Sequence, residues 1–237
     1  MKNLFDRLTD HILALLGLDF EVDLSTRGDR MNAITSSIYL GSRPTPEDLD
    51  TLRDVGISHT ISCLEGTRRA DIRFLDAHFE ALFIDIRDVI GQDISAVFPA
   101  FHDFVSDARG THPHAKILVH CERGVSRSAA LVIAELMTRE QRPLWDVFLE
   151  VRSKRPQVLP NIAFASWLQQ LEHELLGRAA HGSGPTSLTR YLREVCDVPA
   201  ERDLIEAALE RHSYNAPEAL RAIFGGDIPR VVQGVRV

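Results

Sequence analysis

Cysteine is scarce: Cys63, Cys121 and Cys196 are the only three in 237 residues, odd in number and far apart. No disulfide framework can organise such a chain, and a reducing, cytoplasmic setting is the expectation. Long apolar runs are also missing. No uncharged stretch approaches the roughly 20 residues a membrane-spanning helix needs, so stable membrane insertion is not expected. The first residues carry Asp6 and Asp10 ahead of the apolar run 12–18, without the positive start or cleavage site of a secretory signal. Positive charge is not in excess either. A formal net charge of −7 argues against nucleic acid as a partner and leaves any anion recognition to a local feature. Internal repeats and low-complexity tracts are absent.

What remains is ordinary globular material, 44% hydrophobic and 26% charged, long enough for one medium domain with an appendage. Leu4, Phe5, Leu8, Ile12, Leu15 and Leu16 recur at helical spacing, so residues 2–17 read as an amphipathic helix, followed by a polar linker over 19–32. Short apolar runs at 38–40, 57–63, 82–86 and 117–120 read as buried strands. Helices are predicted between them at 46–55, 69–79 and 94–108, and after them at 128–140, 144–153 and 162–176. Strands alternating with helices, then helices alone, predict an α/β domain with a central, mostly parallel sheet flanked by helices over 34–178. A small-residue linker at 179–185 leads to three short helices at 188–195, 202–211 and 217–224. This C-terminal extension, 186–237, reads as helices docked on the main domain, with a protein partner as the other use. Residues 205–226 weakly resemble a ubiquitin-associated module but lack its hydrophobic-glycine-aromatic first loop.

The chemistry is concentrated after the strand Lys116-Ile117-Leu118-Val119. His120-Cys121-Glu122-Arg123-Gly124-Val125-Ser126-Arg127-Ser128 joins that strand to a helix rich in Ala, Leu and Glu. A lone cysteine at a strand end is usually a small buried hydrophobe. Here, however, the loop amides and the positive helix end favour an anion at one point. Arg127 adds a planar fork for two phosphate oxygens. The same field should make Cys121 a thiolate near neutral pH, a nucleophile facing a bound phosphate. Glu122, Arg123, Gly124, Val125, Ser126 and Arg127 are the expected phosphate-binding segment. Ser128 is either a helix N-cap or a hydroxyl that steadies the departing thiolate. His120 is expected to shape the loop rather than to move protons.

At these residues the chain resembles the protein tyrosine phosphatase superfamily, most closely its dual-specificity branch, over about 34–176. Shared elements are Ile38-Tyr39-Leu40-Gly41-Ser42, the loop itself, and Leu159-Pro160-Asn161 with Phe164. The resemblance implies catalysis through a cysteinyl-phosphate without metal or other cofactor, with Asn161 buttressing the loop; a plain turn residue is the alternative for Asn161. A leaving oxygen also needs a proton. Asp85 lies inside a strand and Asp93 reads as a helix N-cap. Asp88 follows the strand, ahead of Gly91, about ten residues before Phe98, where similar dual-specificity enzymes carry their acid. Asp88 is the first candidate and Asp93 the second.

No Lys-Asn-Arg-Tyr-like segment is present to deepen a phosphotyrosine pocket, so phosphoserine and phosphothreonine proteins are expected substrates beside phosphotyrosine ones. Inositol-lipid phosphatases have two loop lysines where this chain has Glu122 and Val125. A carboxylate beside a polyphosphorylated headgroup would repel it, with Arg123 as a partial offset, so a protein substrate is favoured over a phosphoinositide. The alternatives are a phosphate-binding pseudophosphatase, for which the loss of nucleophile, arginine or acid would be expected, and a phosphoinositide phosphatase. A rhodanese-type sulfurtransferase would space its loop more tightly than the five residues between Cys121 and Arg127. Cys63 is placed to form a protective disulfide with an oxidised Cys121, but a buried apolar residue in its strand is the preferred reading; Cys196 has no evident role.

Overall fold

Two strands are buried at every position, polar residues included, and they form the middle of the sheet: β3 (His59–Leu64) and β5 (Ile117–His120). Burial on both faces is what a parallel sheet covered by helices demands of its central strands. The structure, a computed structural model, describes residues 30–177 and 184–225. The predicted helix at 2–17, most of the linker at 179–185 and the end of the C-terminal extension lie outside the described residues.

The five-stranded sheet has the order β1-β2-β5-β3-β4, with β1 as Met31–Ala33, β2 as Ile38–Gly41 and β4 as Glu80–Asp85. All neighbours are parallel except β1, which runs antiparallel to β2. β1 lies within and just past the stretch read as a linker, a correction. At three residues, Met-Asn-Ala is too short for alternation to mark it as a strand, and its pairing with β2 forms it.

Alternate strand residues serve two cores. Ile38, Leu40, Ile61, Cys63, Ile117 and Val119 belong to the larger core, built with α3 (Phe98–Thr111), α4 (Arg127–Glu140), α5 (Leu144–Lys154) and α6 (Ile162–Leu176). Leu64 and Leu118 belong to the smaller one, with Leu52 of α1 (Leu49–Val55) and Leu75 of α2 (Arg73–Asp76). Helix α4 is buried along almost its whole length, so its Ala-rich sequence is a close-packing requirement rather than an amphipathic pattern. The helix expected at 69–79 is instead a 3-10 segment, Gly66–Ile72, running into the single turn of α2. The Asp85 carboxylate accepts from the Gly66 amide at 2.8 Å and pins the start of this segment, while β4 must begin by Glu80.

The C-terminal helices are α7 (Ser187–Arg190), continuing as a π-turn over Tyr191–Val195, α8 (Arg202–Arg211) and α9 (Ala216–Phe224). Leu188, Leu192, Ile205, Leu209, Ala216 and Leu220 are buried in the same core as α4 and α6. Polar ties accompany the packing. The Ser187 hydroxyl donates to Glu172 at 2.8 Å, the Ala216 amide donates to Ser166 Oγ at 2.9 Å, and the Tyr191 hydroxyl donates to the Pro160 carbonyl.

Candidate active site

Parallel strands end on one edge, and that geometry gathers the site. Gly41 and Ser62 are both in register with His120, and Leu64 with Asp85. The segments that leave β2, β3, β4 and β5 therefore emerge side by side at the carboxyl edge of the sheet, the usual place for a ligand in such folds.

The loop after β5 turns within six residues into α4, whose N-cap is Ser126. Ser128 lies inside the helix, so its reading as an N-cap is replaced. Cys121 is buried, and the Gly124 amide donates to its sulfur at 3.2 Å. Burial pushes the Cys121 thiol up, but the Arg127 charge, the Ser128 hydroxyl, and the amides of Ser128 and Arg123 together hold it below the ordinary thiol value. The buried Ser128 oxygen makes no hydrogen bond within the chain. Arg127 is also buried, and its Nε makes no hydrogen bond.

His120 lies beneath the loop. Its Nε2 is 2.8 Å from Ser62 Oγ, and burial drops its pKa to about 3, with the Cys121 backbone opposing and Arg43 adding to the drop. It is a neutral ring that ties β5 to β3. Cys63, next after Ser62, is fully buried; burial and the neighbouring Cys121 push its thiol well above the ordinary value, against the pull of Arg127.

Asp88 reaches the loop from the segment after β4. Its Oδ1 accepts from the Ser126 hydroxyl at 2.7 Å and from the Asn161 amide at 2.9 Å, while Oδ2 is 3.7 Å from Arg127 Nε. Asn161 also caps α6, accepting from the amides of Ala163 and Phe164 at 3.0 Å each, and its own amide donates to Ser126 Oγ at 3.1 Å. Asn161 is thus tied both to the start of α6 and to the loop. Asp93, by contrast, is exposed and turned to its own chain, accepting from the Ser95 amide and hydroxyl at 2.9 and 2.6 Å.

Two features escaped the sequence. Arg155 is fully buried under the loop, where it donates to the carbonyls of Gly124 and Arg123 at 2.9 Å each and to Asn32 Oδ1 at 2.7 Å. An arginine before Pro156 at a helix end reads as a surface residue, so nothing local marks it. The second is the rim. Glu122 is not a bare carboxylate, because Arg43 Nε lies 3.2 Å and Arg68 3.4 Å from it. Its expected repulsion of polyphosphates is therefore largely compensated, and Glu122 faces these arginines at the rim.

Gly124 has φ +65°, and a Cβ there would meet Gly41 O at 2.3 Å and Arg155 Nη2 at 2.8 Å. Gly124→Ala is expected to lower Tm by upwards of about 4 °C, from left-handed strain alone. Because the clash displaces the loop, kcat/KM should fall by on the order of 10²-fold. Thermal denaturation and aryl phosphate kinetics on the same preparation measure both.

Residues 38–174 match the family model described as the dual specificity phosphatase catalytic domain. The chain is 33% identical to the Arabidopsis thaliana "Protein-tyrosine-phosphatase MKP1" over 160 residues, covering 68% of this chain and 19% of that protein. It is 31% identical to mouse "Dual specificity protein phosphatase 19" over 153 residues, 65% of this chain and 66% of that one. Among solved structures, the human "tyrosine phosphatase-like serine/threonine/tyrosine-interacting protein" is 30% identical with a TM-score of 0.59, covering 62% of this chain and 99% of that one. The chain thus spans under two thirds of the first two relatives, and the family match holds strands β2 to β5, the Cys121 loop, Asp88 and Asn161. With that match over more than half its length, the chain belongs to the dual-specificity phosphatase family of Cys-based protein phosphatases.

Proposed function

We propose that this protein hydrolyses phosphomonoesters on proteins, phosphotyrosine and phosphoserine or phosphothreonine alike, through a cysteinyl-phosphate on Cys121. The observation that carries the reading is a buried cysteine with a lowered pKa at the foot of a loop that closes on Arg127. In the first step the thiolate attacks phosphorus as the ester oxygen leaves. Asp88 gives that oxygen its proton from Oδ2, the carboxyl oxygen free of the Ser126 and Asn161 hydrogen bonds. The Arg127 fork and the amides of 122–127 neutralise the equatorial oxygens. In the second step Asp88 takes a proton from water, which attacks the phosphocysteine, and the Ser128 hydroxyl stabilises the thiolate as it departs. His120 and Asn161 hold the loop and the acid in place. No metal or organic cofactor enters these steps.

Within this reading 34–178 is the catalytic unit, completed by β1 (Met31–Ala33), and the C-terminal helices are an extension. Exposed Leu204 on α8 offers a protein partner an apolar contact. A reducing, cytoplasmic location fits a thiolate nucleophile and three free cysteines. Among the described residues no helix is long and apolar enough to cross a membrane.

A protein substrate is favoured by the family to which the chain belongs rather than by Glu122, whose charge is offset by Arg43 and Arg68. With chelator present, phosphopeptides bearing each of the three phosphoresidues should be turned over with kcat/KM at least about tenfold above that for soluble phosphoinositides, worth about 1.4 kcal/mol of transition-state binding. A reversed ratio would mean that the site serves a non-protein phosphate.

A further inference from the structure

At the other edge of the sheet, one strand length from Cys121, three side chains from separate elements converge. His59 opens β3 and is in register with Glu80, which opens β4, while His112 is the C-cap of α3. The His59 and His112 rings have centroids 5.6 Å apart, and one ligand atom from each of the three residues lies within 4.8 Å of the others. They line a groove that also presents Asp76, His78 and His114.

The state of His59 makes this more than a polar cluster. Its ring is 2% exposed, and its Nδ1 lies 2.8 Å from Ser58 Oγ. Ser58 Oγ accepts from the Lys116 amide at 3.2 Å and lies 3.3 Å from the Lys116 carbonyl, so in one arrangement it donates to that carbonyl and accepts from His59 Nδ1. In that arrangement the His59 Nε2 lone pair is bare. It is buried without a hydrogen bond, yet it stands 3.2 Å from the Glu80 carboxylate. A lone pair facing a carboxylate is repulsive unless a cation lies between them. A polar partner that fixes the far nitrogen of the imidazole is the usual support of a metal-bound histidine, and Ser58 Oγ holds that place on His59.

We propose that His59, Glu80 and His112 form a binding site for a divalent transition ion of the zinc class, which clamps β3, β4 and the end of α3 at a distance from the catalytic thiolate. Two imidazoles and a carboxylate suit such an ion. Ligand atoms in a tetrahedral shell sit about 3.4 Å apart, given metal–ligand lengths of roughly 2.1 Å. The exposed side chains of Glu80 and His112 can close that gap by rotation while buried His59 stays fixed. Water or His114 completes the shell.

The test uses the full chain carrying Cys121→Ser, so that the catalytic thiolate does not compete for metal. Calorimetric titration with zinc should give one ion per chain, and a hundredfold excess over Kd should raise Tm by on the order of 5–10 °C. X-ray absorption should show only nitrogen and oxygen ligands at about 2.0–2.1 Å. His112→Ala and Glu80→Gln, both at exposed positions and so harmless to folding, should each weaken binding at least about tenfold. Unchanged affinity in both variants, or sulfur at about 2.3 Å in the shell, would overturn the site.

Discussion

Cys121→Ser is expected to reduce aryl phosphate turnover by on the order of 10⁵-fold or more without unfolding the protein, since a nucleophile acts as a unit with its surroundings. Those surroundings are tuned to sulfur. Burial works against ionisation, and the Arg127 guanidinium, the Ser128 hydroxyl and the local amides overcome it. A serine hydroxyl, several units more basic, stays protonated in the same field. The sign of the shift sets the pH dependence in the wild type. Because the thiol pKa is lowered, the rising limb of kcat/KM, which reports thiolate formation, should lie at a pH below the ordinary thiol value of about 8.5. Ser128→Ala removes one of the lowering interactions and should move that limb upward. A limb left in place would show that the hydroxyl does not reach the sulfur.

Asp88→Asn should slow transfer from alkyl phosphates and phenyl phosphates by about 10²–10⁴-fold, the usual worth of a positioned acid. Esters whose leaving group departs as a stable anion should be affected far less. Asparagine retains an oxygen for Ser126 and Asn161, so the loop contacts made by Asp88 Oδ1 persist and the loss reads as proton transfer rather than collapse. Asp93→Asn is the control, expected within about twofold of wild type. The Ser95 hydroxyl holds the Asp93 carboxyl below the ordinary range, with burial opposing slightly and the amides of Ser95 and Ala96 adding to the effect. A group kept ionised in this way is a poor proton donor. If Asp93→Asn and not Asp88→Asn carries the leaving-group dependence, the acid has been misassigned.

How legible all this was depended on range. The strand Ile117–His120 and the helix Ile162–Leu176 have the bounds their apolar patterns predict, because burial on two faces and helical periodicity are written locally. The loop between β5 and α4 was legible for the same reason: nucleophile and arginine are neighbours in the chain. Asp88 could be selected among three aspartates by its place after a strand. What no pattern carries is pairing across the fold. Arg155 binds Gly124 and Arg123 from about thirty residues away and Asn32 from 123 residues away. Glu122 meets Arg43 and Arg68 from 79 and 54 residues away. A buried arginine and a paired carboxylate have the same letters as exposed ones. β1 was missed because its partner alone makes it a strand.

Everything above depends on Cys121 becoming phosphorylated. The most direct measurement is a single turnover of a phosphopeptide by the Asp88→Asn variant, quenched at successive times, with the phosphorylated residue located by peptide mapping. Since Asp88 would also activate the hydrolytic water, the variant should accumulate phosphate on Cys121 before inorganic phosphate is released. Phosphate released without ever appearing on Cys121, or found on another residue, would contradict the account.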